Sequence, residues 1–210
     1  MTKFQNKYRI ESNRMPDWDY SGDGIYFITL VTRNWDCLFC KIENREMILS
    51  DFGEIAKNEY YRSFKIRREL TIDEFVIMPN HMHFIIIINK IVGNNHHVER
   101  NGRSSLRDDR DIHGNKPENT EPIQNNNLSK FYRKPVSLSS FIAGYKTGVI
   151  QKIDDFIDLN KLPVNKFNRN NKLWQSNYHD HIIRNDKEYW RMKNCIKNNP
   201  LNWQDDEFIG

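Results

Sequence analysis

Two histidines one residue apart, His81 and His83, open the apolar run Phe84-Ile85-Ile86-Ile87-Ile88. Neutral imidazole is a common metal ligand, and two rings on one side of a strand can grip a single ion. Strand side chains alternate between faces, so His81 and His83 fall with Ile85 and Ile87, while Met82, Phe84, Ile86 and Ile88 fall opposite. Pro79-Asn80 breaks the apolar pattern just before the pair. That dipeptide predicts a turn, which would leave the imidazoles near a strand end and open to a substrate. On spacing alone, hydrogen-bonded surface histidines are the commoner reading of such a motif.

Two other patterns compete for metal. His179 and His181 form a second pair of the same spacing, and Cys37-Leu38-Phe39-Cys40 has the spacing of half a zinc site. A zinc site of that kind needs a second thiol pair, and none follows, so these cysteines read as small, partly buried hydrophobes.

The elements that must position the histidines follow from periodicity. Ile25 to Val31 is rich in aromatic and branched residues and reads as a strand, closed by the turn-prone Arg33-Asn34-Trp35-Asp36. Glu46 to Leu49 reads as a short strand. Ser50 or Asp51 can cap a helix to about Lys65, with Ile55, Tyr60 and Phe64 on its apolar stripe. Leu70 to Met78 reads as a strand that the Pro79-Asn80 turn folds back antiparallel onto the histidine strand. Ser137 to about Ile153 carries Phe141, Ile142, Tyr145, Val149, Ile150 and Ile153 at helical spacing. Tyr145 lies inside that stripe and reads as core, whereas Lys146 beside it is a candidate phosphate contact. Tyr178 to Arg184 reads as a strand and Asp186 to about Asn198 as a helix, ended by Asn199-Pro200.

Size and composition set limits. A chain of 210 residues buries one sizeable core, so residues 1–210 read as one domain. Residues 90–135 lose periodicity and fill with Asn, Arg, Asp, Gly and Ser, which reads as a mobile polar insertion. Its His96, His97 and His113 lack a scaffold to hold them in register. Its Arg100, Arg103, Arg107 and Arg110, with Arg133 and Lys134, could brush phosphates. The net charge of +4 is a mild basic excess compatible with nucleic acid. Three cysteines give no even disulfide framework, the amino terminus lacks the apolar run of a secretion signal, and no stretch approaches membrane-spanning length. These features point to a cytoplasmic protein with no membrane partner.

The segment Val76-Ile77-Met78-Pro79-Asn80-His81-Met82-His83 resembles the histidine-hydrophobic-histidine motif of the HUH single-tyrosine transposases, the insertion-sequence 200/605 type, and especially their REP-associated relatives. Gly24-Ile25-Tyr26-Phe27-Ile28-Thr29 is similar to their first strand, and Ser137-Leu138-Ser139-Ser140-Phe141-Ile142-Ala143-Gly144-Tyr145-Lys146-Thr147 to their second helix. Leu173-Trp174-Gln175, Asp180-His181-Ile182-Ile183-Arg184-Asn185 and Asn198-Asn199-Pro200-Leu201 resemble their closing section. The resemblance runs from about Tyr20 to Trp203, apart from the polar middle.

That resemblance implies an α+β domain with a ferredoxin-like antiparallel sheet and helices packed on one face, the HUH endonuclease fold. It also implies a divalent ion, magnesium or manganese, held by His81, His83 and the carboxamide of Asn199. The partner it implies is single-stranded or hairpin DNA, bound by a monomer or homodimer and contacted at Lys146, His181 and Arg184. In the family, a tyrosine one helical turn before the carboxamide attacks the scissile phosphate and becomes linked to the DNA 5′ end. Here that position holds Cys195. The spacing to Asn199 is right, since residues four apart share a helix face, but the residue type is not. A thiol is more acidic than a phenol by roughly 1.5 pKa units. It lacks the ring that carries the tyrosyl oxygen forward, and about 1 Å of misplacement can cost 100-fold. Tyr189 falls in a stripe with Met192 and Ile196 that reads as a buried face. Covalent cleavage is therefore expected to be weak or absent. Two alternatives stand beside strand transfer: a domesticated hairpin binder that does not cut, and a metal-dependent nuclease in which water attacks.

Overall fold

Branched and aromatic residues alternating with polar ones between turn signals build four strands of one sheet, and two capped helices connect them. The structure, a computed structural model, describes residues 3–4, 7–8, 14–15, 17–89 and 136–205. The insertion expected at 90–135, with His96, His97 and His113 and its arginines, lies outside the described residues.

Two short strands come first, β1 (Lys3–Phe4) and β2 (Lys7–Tyr8), paired with each other. The main body runs β3 (Gly24–Val31), α1 (Asp51–Ile66), β6 (Leu70–Ile77), β7 (His81–Ile88), α2 (Leu138–Asn160) and β8 (His179–Ile183). The sheet order is β6-β7-β3-β8, with every neighbouring pair antiparallel. Strand, helix, two strands, helix, strand in that order is the ferredoxin-like arrangement, in which β7 slips between the two strands that α1 connects. A hairpin of β4 (Cys40–Glu43) and β5 (Glu46–Leu49) is inserted before α1. The chain closes with α3 (Asp186–Asn198) and a 3-10 turn over Asn199–Asp205.

Local chemistry fixes the helix starts. Ser50 caps α1 by accepting from the Gly53 amide, and Ser137 caps α2 in a reciprocal capping box with Ser140. Gly53 is required for packing rather than for backbone freedom, since a Cβ there would meet the Phe39 carbonyl oxygen at 2.0 Å. The helix α2 runs one to two turns past Ile153, because Ile157 continues the buried stripe before Lys161 ends it in the left-handed region.

The alternation anticipated for β7 holds. Met82, Phe84, Ile86 and Ile88 join Tyr26, Ile28 and Leu30 of β3 and the apolar stripes of α1 and α2 in the main core. Tyr145 sits in this core, its hydroxyl donating to the Ala56 carbonyl. Packing of helices on one face holds for α1 and α2 only. The third helix crosses the opposite face, where Ile196, Tyr189 and Met192 pack with Ile85, Ile183, Val76 and Met78 in a second, smaller core. The cause is chain economy: β8 is the edge strand, only two residues separate it from α3, and the apolar stripe of α3 needs a sheet face that α1 and α2 leave uncovered.

Candidate metal centre on the sheet face

Strand register places the chemistry-bearing residues. Across β3, Val31 faces His81, Thr29 faces His83 on one side and His179 on the other, and Phe27 faces His181. Residues directly opposite share a face, so both histidine pairs stand on the α3 side of the sheet.

The two pairs meet different environments. His81 and His83 are 0% and 5% exposed, so the expected opening to a substrate is corrected to burial. Trp203 of the 3-10 turn lies 6.1 Å from the His81 ring and Phe27 stacks on His83 at 5.1 Å. The two imidazoles are themselves 4.6 Å apart, edge to face. Three backbone bonds hold the turn before them: Thr32 N–H to the Asn80 carbonyl, Phe39 N–H to the Pro79 carbonyl, and Met78 N–H to the His81 carbonyl.

Side-chain bonds orient both rings. His81 Nδ1 is 2.9 Å from the amide oxygen of Asn80, an acceptor, so Nδ1 carries the proton and the buried Nε2 carries the lone pair. The Thr29 hydroxyl lies 2.8 Å from His83 Nδ1 and can hold that ring in the same tautomer. Burial pushes the His81 pKa down to about 3, which keeps the ring neutral, the state that binds metal.

Asn199 is 8% exposed, and its Oδ1 is a buried acceptor with no hydrogen-bond donor among the described residues. It continues α3 with helical dihedrals, one residue past its end. Glu188, Cys195 and Asn199 lie seven and four residues apart and form one stripe of that helix. Glu188 Oε1 is 2.6 Å from His181 Nε2, so this stripe faces the β8 side of the sheet. The flanking residues Ile196 and Trp203 pack into the layer that holds Met78 and Ile85, on the sheet face that carries the histidines. Two imidazole nitrogens and an amide oxygen suit a divalent ion, and an orphaned buried oxygen is what an electropositive guest would satisfy. Among the described residues no group of three or more His, Cys, Asp or Glu is gathered for a metal.

The remaining site candidates fall as follows. Cys195 is exposed, on the same stripe as Asn199. Tyr189 is turned to β6, its hydroxyl donating to Asp73 at 2.6 Å, with Lys193 on the same carboxylate. Lys146 donates to the carbonyls of Gln175 and Asn177 at 2.8 and 3.0 Å, and burial lowers its pKa to about 8. Its ammonium thus pins the segment leading into β8. His181 and Arg184 are exposed, on and just past β8. Cys40 is buried, its thiol donating to the Ile77 carbonyl, while Cys37 is exposed. Sequence reasoning missed Thr29, Asn80 and Trp203. Thr29 was legible in principle, as the polar residue on the inward face of an apolar strand.

No family model matches the chain. Among solved structures, it is similar to a REP-associated tyrosine transposase bound to a REP hairpin, with 17% identity and a TM-score of 0.44, covering 97% of this chain and 74% of that one. It is also similar to a candidate transposase from Deinococcus radiodurans, with 10% identity and a TM-score of 0.40, covering 88% of this chain and 97% of that one. No helix among the described residues is long and apolar enough to cross a membrane. At 31% identity over 201 residues, spanning 93% of this chain and 91% of the relative, the chain belongs to the family of an uncharacterized protein of Haemophilus influenzae.

Proposed function

We propose that this protein binds single-stranded or hairpin DNA as a transposase-related protein of the HUH type, and that His81, His83 and Asn199 hold one divalent ion, magnesium or manganese, against a DNA phosphate. The observation that carries this reading is the buried Oδ1 of Asn199, met by no donor among the described residues, between Ile196 and Trp203, which pack on the sheet face that carries His81 and His83. When bound, the ion supplies charge neutralisation at the phosphate and polarises its phosphorus toward attack. The chain's own residues do the rest. Asn80 and Thr29 hold the two rings in the ligating tautomer. Phe27 and Trp203 shield them from water, which strengthens every charge interaction within.

Cys195 occupies the place where an attacking group would stand, four residues before Asn199 on the same stripe. Its short side chain leaves a gap where a tyrosyl ring would extend, so covalent strand cleavage is feeble and binding dominates. The test is incubation of the full chain with end-labelled hairpin DNA and manganese. A gel shift without cleavage is expected for the native chain. A protein-DNA adduct that survives denaturation would show that the thiol attacks after all, and hydrolysed strands without an adduct would show that water does. Absence of any DNA complex at low salt would refute the proposal.

The Cys195→Tyr variant sharpens the assignment. It should form the adduct in a manganese-dependent manner, since the spacing to Asn199 is already that of one helical turn. No adduct from a folded variant that binds both metal and DNA would mean that α3 is misassigned.

A further inference from the structure

On the side of α3 turned away from the sheet, Lys187, Trp190, Arg191, Asn194, Lys197 and Asn198 are all exposed. Helical spacing sorts them into neighbouring rows. Lys187, Arg191, Cys195 and Asn199 stand four apart and form one ridge, which climbs roughly 18 Å from the exposed cations to the buried carboxamide of Asn199. Trp190, Asn194 and Asn198 form the next ridge, so an indole and two carboxamides lie beside the two cations.

The cations of α3 differ in their partners. Lys193 and Lys197 are ion-paired with Asp73 and Glu74 of β6. Lys187 and Arg191 make no salt bridge among the described residues. Glu188, whose charge Arg191 feels, is already engaged by His181 and by the Arg184 amide. Trp190 is 57% exposed, the most open of the five tryptophans. Its ring is nevertheless steadied: the Tyr189 ring meets it at 5.2 Å and a steep angle, and the Lys193 ammonium lies 5.9 Å from its centre. Tyr189 and Lys193 are both tied to Asp73, so the indole is braced from the β6 side while much of its surface meets solvent.

That pairing of groups selects a ligand class. A large open aromatic ring gains from covering by a planar, partly apolar guest. The cations on the neighbouring ridge require the same guest to carry negative charge. A nucleic-acid strand supplies both, and its bases offer their faces to a side chain only where they are unpaired. We propose that the outer face of α3 is a track for an unpaired DNA strand, with one base stacked on Trp190 and neighbouring phosphates held by Lys187 and Arg191. The proposal rests on the nucleic-acid reading above and deepens it, because the ridge that begins with these cations ends at Cys195 and Asn199.

The test is fluorescence anisotropy of the full chain with a short labelled oligothymidylate, which has no pairing of its own, across a range of salt. Trp190→Ala should weaken binding about tenfold and Trp190→Phe much less, since phenyl also stacks. Neither should alter the salt dependence, because no phosphate contact is lost. The double variant Lys187→Gln, Arg191→Gln should flatten the slope of log affinity against log salt by about 1.4, which is about 0.7 for each phosphate released. All three positions are exposed, and circular dichroism checks each fold. Native affinity in Trp190→Ala, or a loss in Trp190→Phe as large as in Trp190→Ala, would overturn the stacking site, and an unchanged slope in the double variant would overturn the phosphate track. A native dimer that Trp190→Ala dissociates in sedimentation would assign this face to a second copy of the chain instead. In each of those cases binding by the native chain leaves the nucleic-acid reading standing. If the native chain binds no strand even at low salt, that reading fails, and this inference with it.

Discussion

Two pairs of histidines stand on one face of one sheet, and they differ in everything except spacing. His81 and His83 lie on a central strand, buried under Trp203 and Phe27, each with Nδ1 at a neighbouring oxygen. His179 and His181 lie on the edge strand, exposed, and His181 is engaged by Glu188. The difference teaches that spacing alone does not make a ligand pair. Burial keeps a ring neutral, a fixed tautomer aims its lone pair, and a third donor must reach the same place. The central pair has the burial and the oriented rings, and Asn199 is the third donor we propose for it.

The largest expected effect of that contrast is on metal affinity. His81→Ala or His83→Ala should weaken manganese binding by about 100-fold or more, whereas His179→Ala should change it less than about threefold, read by isothermal titration. Comparable losses from both pairs would dissolve the distinction.

Next is the pH dependence of stability. Because folding depresses the His81 pKa from 6.5 to about 3, the unfolded chain binds the proton more readily between those values. Stability from this group is therefore complete above about pH 6.5 and is lost as pH falls toward 3, by at most about 1.4 kcal/mol per pH unit. Urea unfolding of the metal-free protein between pH 7 and 4 should show this slope, and His81→Gln should flatten it. An unchanged slope in that variant would place the acid sensitivity elsewhere.

Support residues should matter less than ligands. Thr29→Val keeps shape and β propensity but removes the hydroxyl at His83 Nδ1, and should cost about tenfold in metal affinity with little change in melting temperature. The smallest effect belongs to the edge pair. Glu188→Gln keeps the hydrogen bond to His181 but removes its charge, and the urea unfolding midpoint should be essentially unchanged, as for exposed ion pairs. A larger change would mean that His181 and Glu188 are structurally coupled to the metal face.

Much of this frame was readable in the chain. The face alternation of His81 and His83 with Ile85 follows from the strand period, and Ser50 and Ser137 announce their helices by side-chain chemistry. The stripe of Tyr189, Met192 and Ile196 correctly marked the buried side of α3, and Tyr145 sits in the core stripe that its spacing indicated. What was hidden depends on contacts distant in sequence. Burial of the histidines comes from Trp203 and α3 crossing the second sheet face, and no local pattern encodes a crossing. Pairing of Cys40–Glu43 with Glu46–Leu49 was missed because four-residue strands carry too few alternations to register. Lys146 read as a phosphate contact because a solitary lysine beside a core stripe shows no partner in sequence. The carbonyls it pins, at Gln175 and Asn177, are supplied by a loop about thirty residues on.

The central claim is that two imidazoles and one carboxamide share a single ion. Pulsed electron paramagnetic resonance of the manganese-loaded protein, with histidine nitrogens labelled, tests it directly. The account requires one bound ion coupled to two imidazole nitrogens, one coupling lost in His81→Ala, and a weaker site in Asn199→Ala. A spectrum with no imidazole coupling, or one unaltered by His81→Ala, would contradict it.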